Sequence, residues 1–234
     1  MRMCYNLRQL EDTIMTDSDI LVAKVLMPER GVFAVRVDEP LVVSGKVKFG
    51  MTGRFVVALD YGEDVGRVFC IQQYDPAIHG ERIPGFRLLR ALDIRDEKTL
   101  SENETLAAAM RNAFFSFVKD VAPDIRIPVA RLSLGREKLF LRYVTEKGKV
   151  DLSAAQEALK RQFGVEVSLW SMGPRDEVSE LGGLGPCGRV CCCNSWQRRY
   201  PSRLAPDRRS GSSLPSLMNG TCGRFKCCLA FERY

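Results

Sequence analysis

At 234 residues, with 45% apolar and 27% charged side chains, the chain has the composition of a globular protein of one or two domains. No apolar run approaches the roughly 18 residues that a membrane-spanning helix needs, and the N-terminus lacks the apolar segment and small-residue cleavage site of a secretory leader, so a cytoplasmic protein is expected. The net charge of +6 is uneven: from Cys187 onward nine Lys and Arg stand against two acids, which puts +7 there and −1 on everything before it.

In chain order, residues 1–19 are polar and aperiodic and read as a poorly ordered lead-in. A β-rich unit is expected over 20–95. Ile20 to Leu26 and Val32 to Val37 alternate apolar and polar residues around a PERG turn. KVKFG, RFVVALD and VGRVFCIQQY follow, separated by MTG and YGED, and Phe86 to Ile94 adds a further strand. Short strands joined by glycine-bearing turns suggest a small barrel or a twisted antiparallel sheet. Cys70, inside one of these strands, reads as a small buried hydrophobe. His79 is the sole histidine and reads as a surface residue, so His-dependent catalysis is not expected.

An α-β-β-α-β unit is expected over 96–172, giving an α+β chain with two-layer packing. From Ser101, apolar residues recur at steps of three and four through Val121, with Ser101 and Glu104 in capping-box spacing and Pro123 as the stop. Strands at Ile125 to Leu134 and Lys138 to Thr145 flank LGRE. A helix at about 151–163 closes on Gly164, and Val165 to Trp170 alternate as the last strand. No phosphate loop, nucleophile elbow, zincin helix or dinucleotide fingerprint is present, and no acid–base pair stands out.

Residues 173–234 form a cysteine-rich cap. Seven of the nine cysteines lie between 187 and 228, and C-G-R-x-x-C-C occurs twice: Cys187-Gly188-Arg189 with Cys192-Cys193, and Cys222-Gly223-Arg224 with Cys227-Cys228. In a reducing compartment such clusters bind metal or act in redox chemistry more often than they form structural disulfides. Five helical positions would point Cys187 and Cys192 about 140° apart, so the chain must bend for them to meet, and Gly188 and Gly223 supply that freedom while leaving backbone N–H groups free to approach sulfur. Arg189 and Arg224 place positive charge where thiolates would form. Adjacent residues in extended backbone face opposite ways, so Cys192 and Cys193 do not easily share one small ion. All-thiolate sites suit iron–sulfur clusters and zinc alike, and the spacing leaves both open, together with a metal-free redox group. Between the motifs lie Arg198, Arg199, Arg203, Arg208 and Arg209 with Trp196 and Tyr200. Basic residues interleaved with aromatics can contact RNA, and the aromatics can equally pack over the cysteines.

The run RDEVSELGGLGPCGRVCCC…GTCGRFKCCLAFE resembles the hallmark of the RicT (YaaT) family, bacterial proteins with the polymerase-suppressor C-terminal domain. Upstream, DYGEDVGRVF is similar to the family's R-G-x-E-x-G-x-V strand. GKVDLSAAQEALKRQFGVEVSLWSMGPRDE is similar to its helix–strand–RDE segment, so the resemblance covers about residues 20–234. It implies a cytosolic regulator rather than an enzyme, with metal ligands at Cys187, Cys192, Cys193, Cys222, Cys227 and Cys228. It also implies small helical partners, RicA and RicF, in a complex that carries 4Fe–4S clusters, works with the endoribonuclease RNase Y in mRNA maturation, and affects sporulation, competence and biofilm formation. Cys191 departs from the pattern and reads as a substitute for a leucine-like core residue. Six cysteines cannot fill the eight ligand positions of two four-iron clusters, so one cluster is held or partners complete the set, as the resemblance implies. The other reading is an RNA-binding module with a structural zinc site.

Overall fold

A computed structural model describes residues 20–37, 42–43, 46–47, 53–79, 84–146, 150–197 and 219–231. The lead-in expected at 1–19 lies outside them. The chain is mixed α+β. The described parts of Met1–Met110, Arg131–Phe140 and Lys160–Ser168 form one compact unit. Those of Arg111–Ala130, Leu141–Leu159 and Leu169–Tyr234 form a second.

In the first unit, strands β1 (Leu21–Met27) and β2 (Gly31–Val37) form the hairpin that the sequence alternation predicts, with Met27 opposite Gly31. A short pair, β3 (Val42–Val43) and β4 (Lys46–Val47), follows. Next come β5 (Arg54–Leu59), β6 (Gly62–Gln73), the single turn α1 (Pro76–His79) and β7 (Arg87–Ala91). The strands pair cyclically as β1-β2-β7-β5-β6 and back to β1, a closed barrel. Every contact in the ring is antiparallel except β2 with β7, where Arg36 stands opposite Arg87. The period of two places Leu21, Ala23, Val25 and Met27 of β1 inside, against Val35, Phe55, Val57, Val68, Ile71 and Leu88. Cys70 is buried within β6, as expected. His79 is half-buried rather than on the surface: its ring stacks on Tyr74 and bonds to Gln72.

One expectation is corrected by the strand register. YGED is not a four-residue turn, because Leu59 pairs with Gly62 and only Asp60 and Tyr61 make the reversal. Asp64 sits inside β6, fully buried. It accepts two bonds from the Arg131 guanidinium (2.8 and 2.7 Å) and one from the Tyr61 hydroxyl (2.9 Å), partners that no local reading of the sequence supplies. Burial, reinforced by Asp64, pushes the Tyr61 phenol up.

The long helix α2 (Ile94–Val118) starts seven residues before Ser101. Its cap is Asp93 and Asp96, not Ser101 and Glu104. The Asp96 N–H donates to Asp93 Oδ1 (2.8 Å) and the Asp93 N–H donates to Asp96 Oδ2 (3.0 Å), a reciprocal box in which aspartate replaces Ser and Glu. Arg90 then clamps the Asp96 carboxylate. Beyond α2, strands β8 (Arg126–Leu132) and β9 (Lys138–Val144), helix α3 (Ser153–Phe163) and strand β10 (Glu166–Ser171) follow as expected. Their sheet order is β10-β9-β8. Gly164 ends α3 with φ of 70° and its N–H on the Lys160 carbonyl (2.8 Å).

A helix not anticipated, α4 (Pro174–Leu181), precedes the cysteines. Proline early in the helix and Asp176, whose carboxylate accepts the Gly173 N–H (3.2 Å), set its start. Arg126 holds Glu177 through two bonds of 3.0 Å, and Arg142 holds Glu180, which fixes α4 within the second unit.

Candidate metal centre

Each cysteine motif folds as the same tight turn. In the first, Leu184 bridges Val190, the Gly185 N–H donates to the Arg189 carbonyl (2.8 Å) and the Gly188 N–H to the Gly185 carbonyl (2.9 Å). In the second, Asn219 bridges Phe225, the Gly220 N–H donates to the Arg224 carbonyl (2.8 Å) and the Gly223 N–H to the Gly220 carbonyl (2.9 Å). Gly188 and Gly223 both have φ of 75°, in the left-handed region that glycine enters without steric cost. The sequence therefore placed the bend correctly. The N–H groups of these two glycines themselves close the turns. The repeat also reaches further upstream than C-G-R. G-x-C-G-R is common to both copies, and Gly185 and Gly220 were a readable signal that the cysteine pattern overshadowed.

The two turns are joined directly, since the Thr221 hydroxyl donates to the Leu184 carbonyl (3.0 Å). After the first turn the chain is tied back to α4 and to its own bend. The Cys191 N–H donates to the Gly183 carbonyl (3.0 Å), Ser179 Oγ to the Cys193 carbonyl (2.9 Å), and the Gln197 N–H to the Cys192 carbonyl (2.7 Å). After the second turn a 3₁₀ segment, Cys227–Phe231, carries the last two cysteines. Trp196 packs edge-on against Phe231, ring centroids 5.3 Å apart, so it braces the segment after the cysteines while remaining 58% exposed.

This framework gathers Cys187, Cys192, Cys193, Cys222, Cys227 and Cys228 around one cavity of about 60 Å³, together with Cys191. Cys191, Cys193 and Cys227 are buried, Cys192, Cys222 and Cys228 half-buried, and Cys187 exposed. Among the described residues the cavity lining holds no carboxylate and no imidazole, and its soft ligand-type side chains are the thiols. Burial raises the Cys192 thiol above its usual range, and the neighbouring Cys228, Cys227 and Cys187 add to the rise. Burial also raises Cys193, against the pull of the Arg175 charge. Among the described residues no three His, Cys, Asp or Glu side chains stand together as the ligands of a single metal ion. The thiols are instead distributed around the cavity.

Arg189 and Arg224 are exposed and absent from the cavity lining. The Arg224 guanidinium lies beside Gly173. The cations that do line the cavity are Arg175, which is buried, and Lys226, and the sequence reading attached no role to either. Arg198, Arg199, Arg203, Arg208, Arg209 and Tyr200 lie outside the described residues.

Fold and site together define a mixed α+β protein with a twinned cysteine turn built around a thiol-lined cavity. The stage 0 sporulation protein YaaT of Bacillus subtilis (strain 168) is 30% identical to it over 118 residues, 50% of this chain and 42% of the relative. The likeness to YaaT is confined to that stretch, and in it the chain spans less than half of the relative's length. No family model matches the chain, and no solved structure matches it. Among the described residues no helix is long and apolar enough to cross a membrane.

Proposed function

We propose that this chain is a non-enzymatic cytoplasmic regulator that holds an iron–sulfur cluster, of the 4Fe–4S type, in its cysteine-rich cap. Its work is to tune RNA processing by an RNase Y-type endoribonuclease, alongside small helical partners of the RicA and RicF kind. The observation that carries the reading is the convergence of all six motif cysteines, from two separate turns, on one cavity. A pool of six soft thiol ligands is chemically suited to an iron–sulfur centre. The relative's name, a sporulation-stage protein, supports regulation over catalysis. Cys187, Cys192, Cys193, Cys222, Cys227 and Cys228 are the ligands available to such a centre, and Gly188 and Gly223 shape the turns that present them. When bound, the cluster would supply sensitivity to iron and oxygen.

The test is anaerobic purification of the full chain, followed by iron, sulfide and zinc analysis with a visible spectrum. The expected result is matched iron and sulfide that fall together when Cys192 or Cys227 is changed to serine. Stoichiometric zinc without sulfide would overturn the cluster and favour an RNA-binding module with a structural zinc site. That module's RNA affinity would then fall steeply with salt.

A further inference from the structure

The paired C-G-R motifs suggest that their own arginines balance the charge of the thiolate site. A different arginine lines the cavity itself. Arg175, at the start of α4, is 4% exposed and lines the same cavity as the seven thiols. Its Nη2 donates to the Gln197 carbonyl (2.6 Å), and the Gln197 N–H donates to the Cys192 carbonyl (2.7 Å), so the guanidinium is anchored to the backbone that carries the thiols. Arg189 and Arg224 are exposed, where water screens them.

A guanidinium is charged at every accessible pH. Its burial becomes more favourable as negative charge gathers opposite it. Thiols supply that charge when they lose protons to bind a metal. Lys226 also borders the cavity, but it is half-buried and retains access to water.

We infer that Arg175 is the counter-ion of the thiolate site, placed by α4 to offset the negative charge of a thiolate-bound metal centre. The inference rests on the reading of the cavity as a metal–thiolate site and adds the residue that makes an anionic centre tolerable inside the fold. Arg175 acts by placing charge, not by ligation.

Arg175→Gln and Arg175→Lys separate charge from hydrogen bonding. Glutamine keeps an N–H donor for the Gln197 carbonyl and loses the charge, whereas lysine keeps the charge. The measurements are metal content after anaerobic reconstitution with iron and sulfide, the chelator concentration that strips half of it, and the reduction potential of the bound centre. The expected result is at least a tenfold easier stripping for Arg175→Gln with a more negative potential, and values within about threefold of the unaltered chain for Arg175→Lys. Equal retention by the glutamine variant, or equal loss by both, would overturn the assignment, because a structural role would follow the hydrogen bond and not the charge.

If Arg175→Gln does not fold, the exposed pair decides. Arg189→Gln with Arg224→Gln is expected to leave the potential unmoved, and a tenfold loss of metal there would put the counter-charge on the motif arginines instead. If the unaltered chain takes up no metal, the metal–thiolate reading and the counter-ion fall together. If it loads normally and the variants do not differ from it, only the counter-ion falls.

Discussion

At the scale of single residues, charged side chains clamped by other side chains shape much of the architecture. Asp96 is the clearest case. Its hydrogen bonds from Arg90, which outweigh the opposing effect of burial, hold its carboxyl below the ordinary value of 3.8. A carboxyl whose pKa is depressed by folding contributes stability above its unfolded value and loses it as pH falls through the folded one. Acid titration of unfolding should therefore show a stability loss beginning below about pH 4 that is shallower in Asp96→Asn. An unchanged acid limb in that variant would mean that the Arg90 clamp adds nothing. Sequence reading could not find this cap, because an Asp-x-x-Asp start competes in the same stretch with the more familiar Ser101 and Glu104. Arg175 was overlooked for a related reason: it was visible in the RDE run, but nothing local shows that it faces the cysteines.

At the scale of elements, hairpins and helices with self-contained signals were legible. β1 with β2 follows from alternation around a turn, and α3 from a helical period closed by Gly164. The parallel pairing of β2 with β7 was not, because the two strands are far apart in the chain and no residue in either declares the other. The twin cysteine turns lie between these cases. Their recurrence was plain, but their extent was cut short at cysteine when the structural unit begins two residues earlier. Each turn depends on one left-handed glycine, and a Cβ at Gly188 or Gly223 would meet nothing within 4 Å. Alanine there adds backbone strain of about 1–2 kcal/mol and no clash. Gly188→Ala and Gly223→Ala should each lower metal retention, and by similar amounts, since the two turns make the same hydrogen bonds. Chelator competition on each variant measures this, and a strongly unequal pair of losses would show that one turn dominates the site.

At the scale of the whole molecule, the two units are held by different means. The first has a continuous apolar core running through its barrel. Among the described residues, the cysteine turns of the second have short backbone bonds, a few side-chain ties to α4 and a ring contact. If a metal centre occupies the cavity, it acts as the missing core of that segment, in the way that metal binding is coupled to folding elsewhere. Treatment with a chelator should then raise amide hydrogen exchange across 184–197 and 219–231 by about tenfold or more, with β1, β2, β5 and β6 unaffected. Unchanged protection in both turns would show that they support themselves.

The hydrogen bond from Thr221 to Leu184 has a consequence for how the gene can vary. Because the two turns meet through their own atoms, this contact does not itself depend on how many residues separate them in sequence. Loop-closure entropy grows slowly, so doubling a flexible connection costs only about 0.6 kcal/mol. The separation between the two G-x-C-G-R copies is therefore the cheapest dimension along which such a protein can diverge. Patterns meant to recognise this site should fix the two copies and leave the distance between them free.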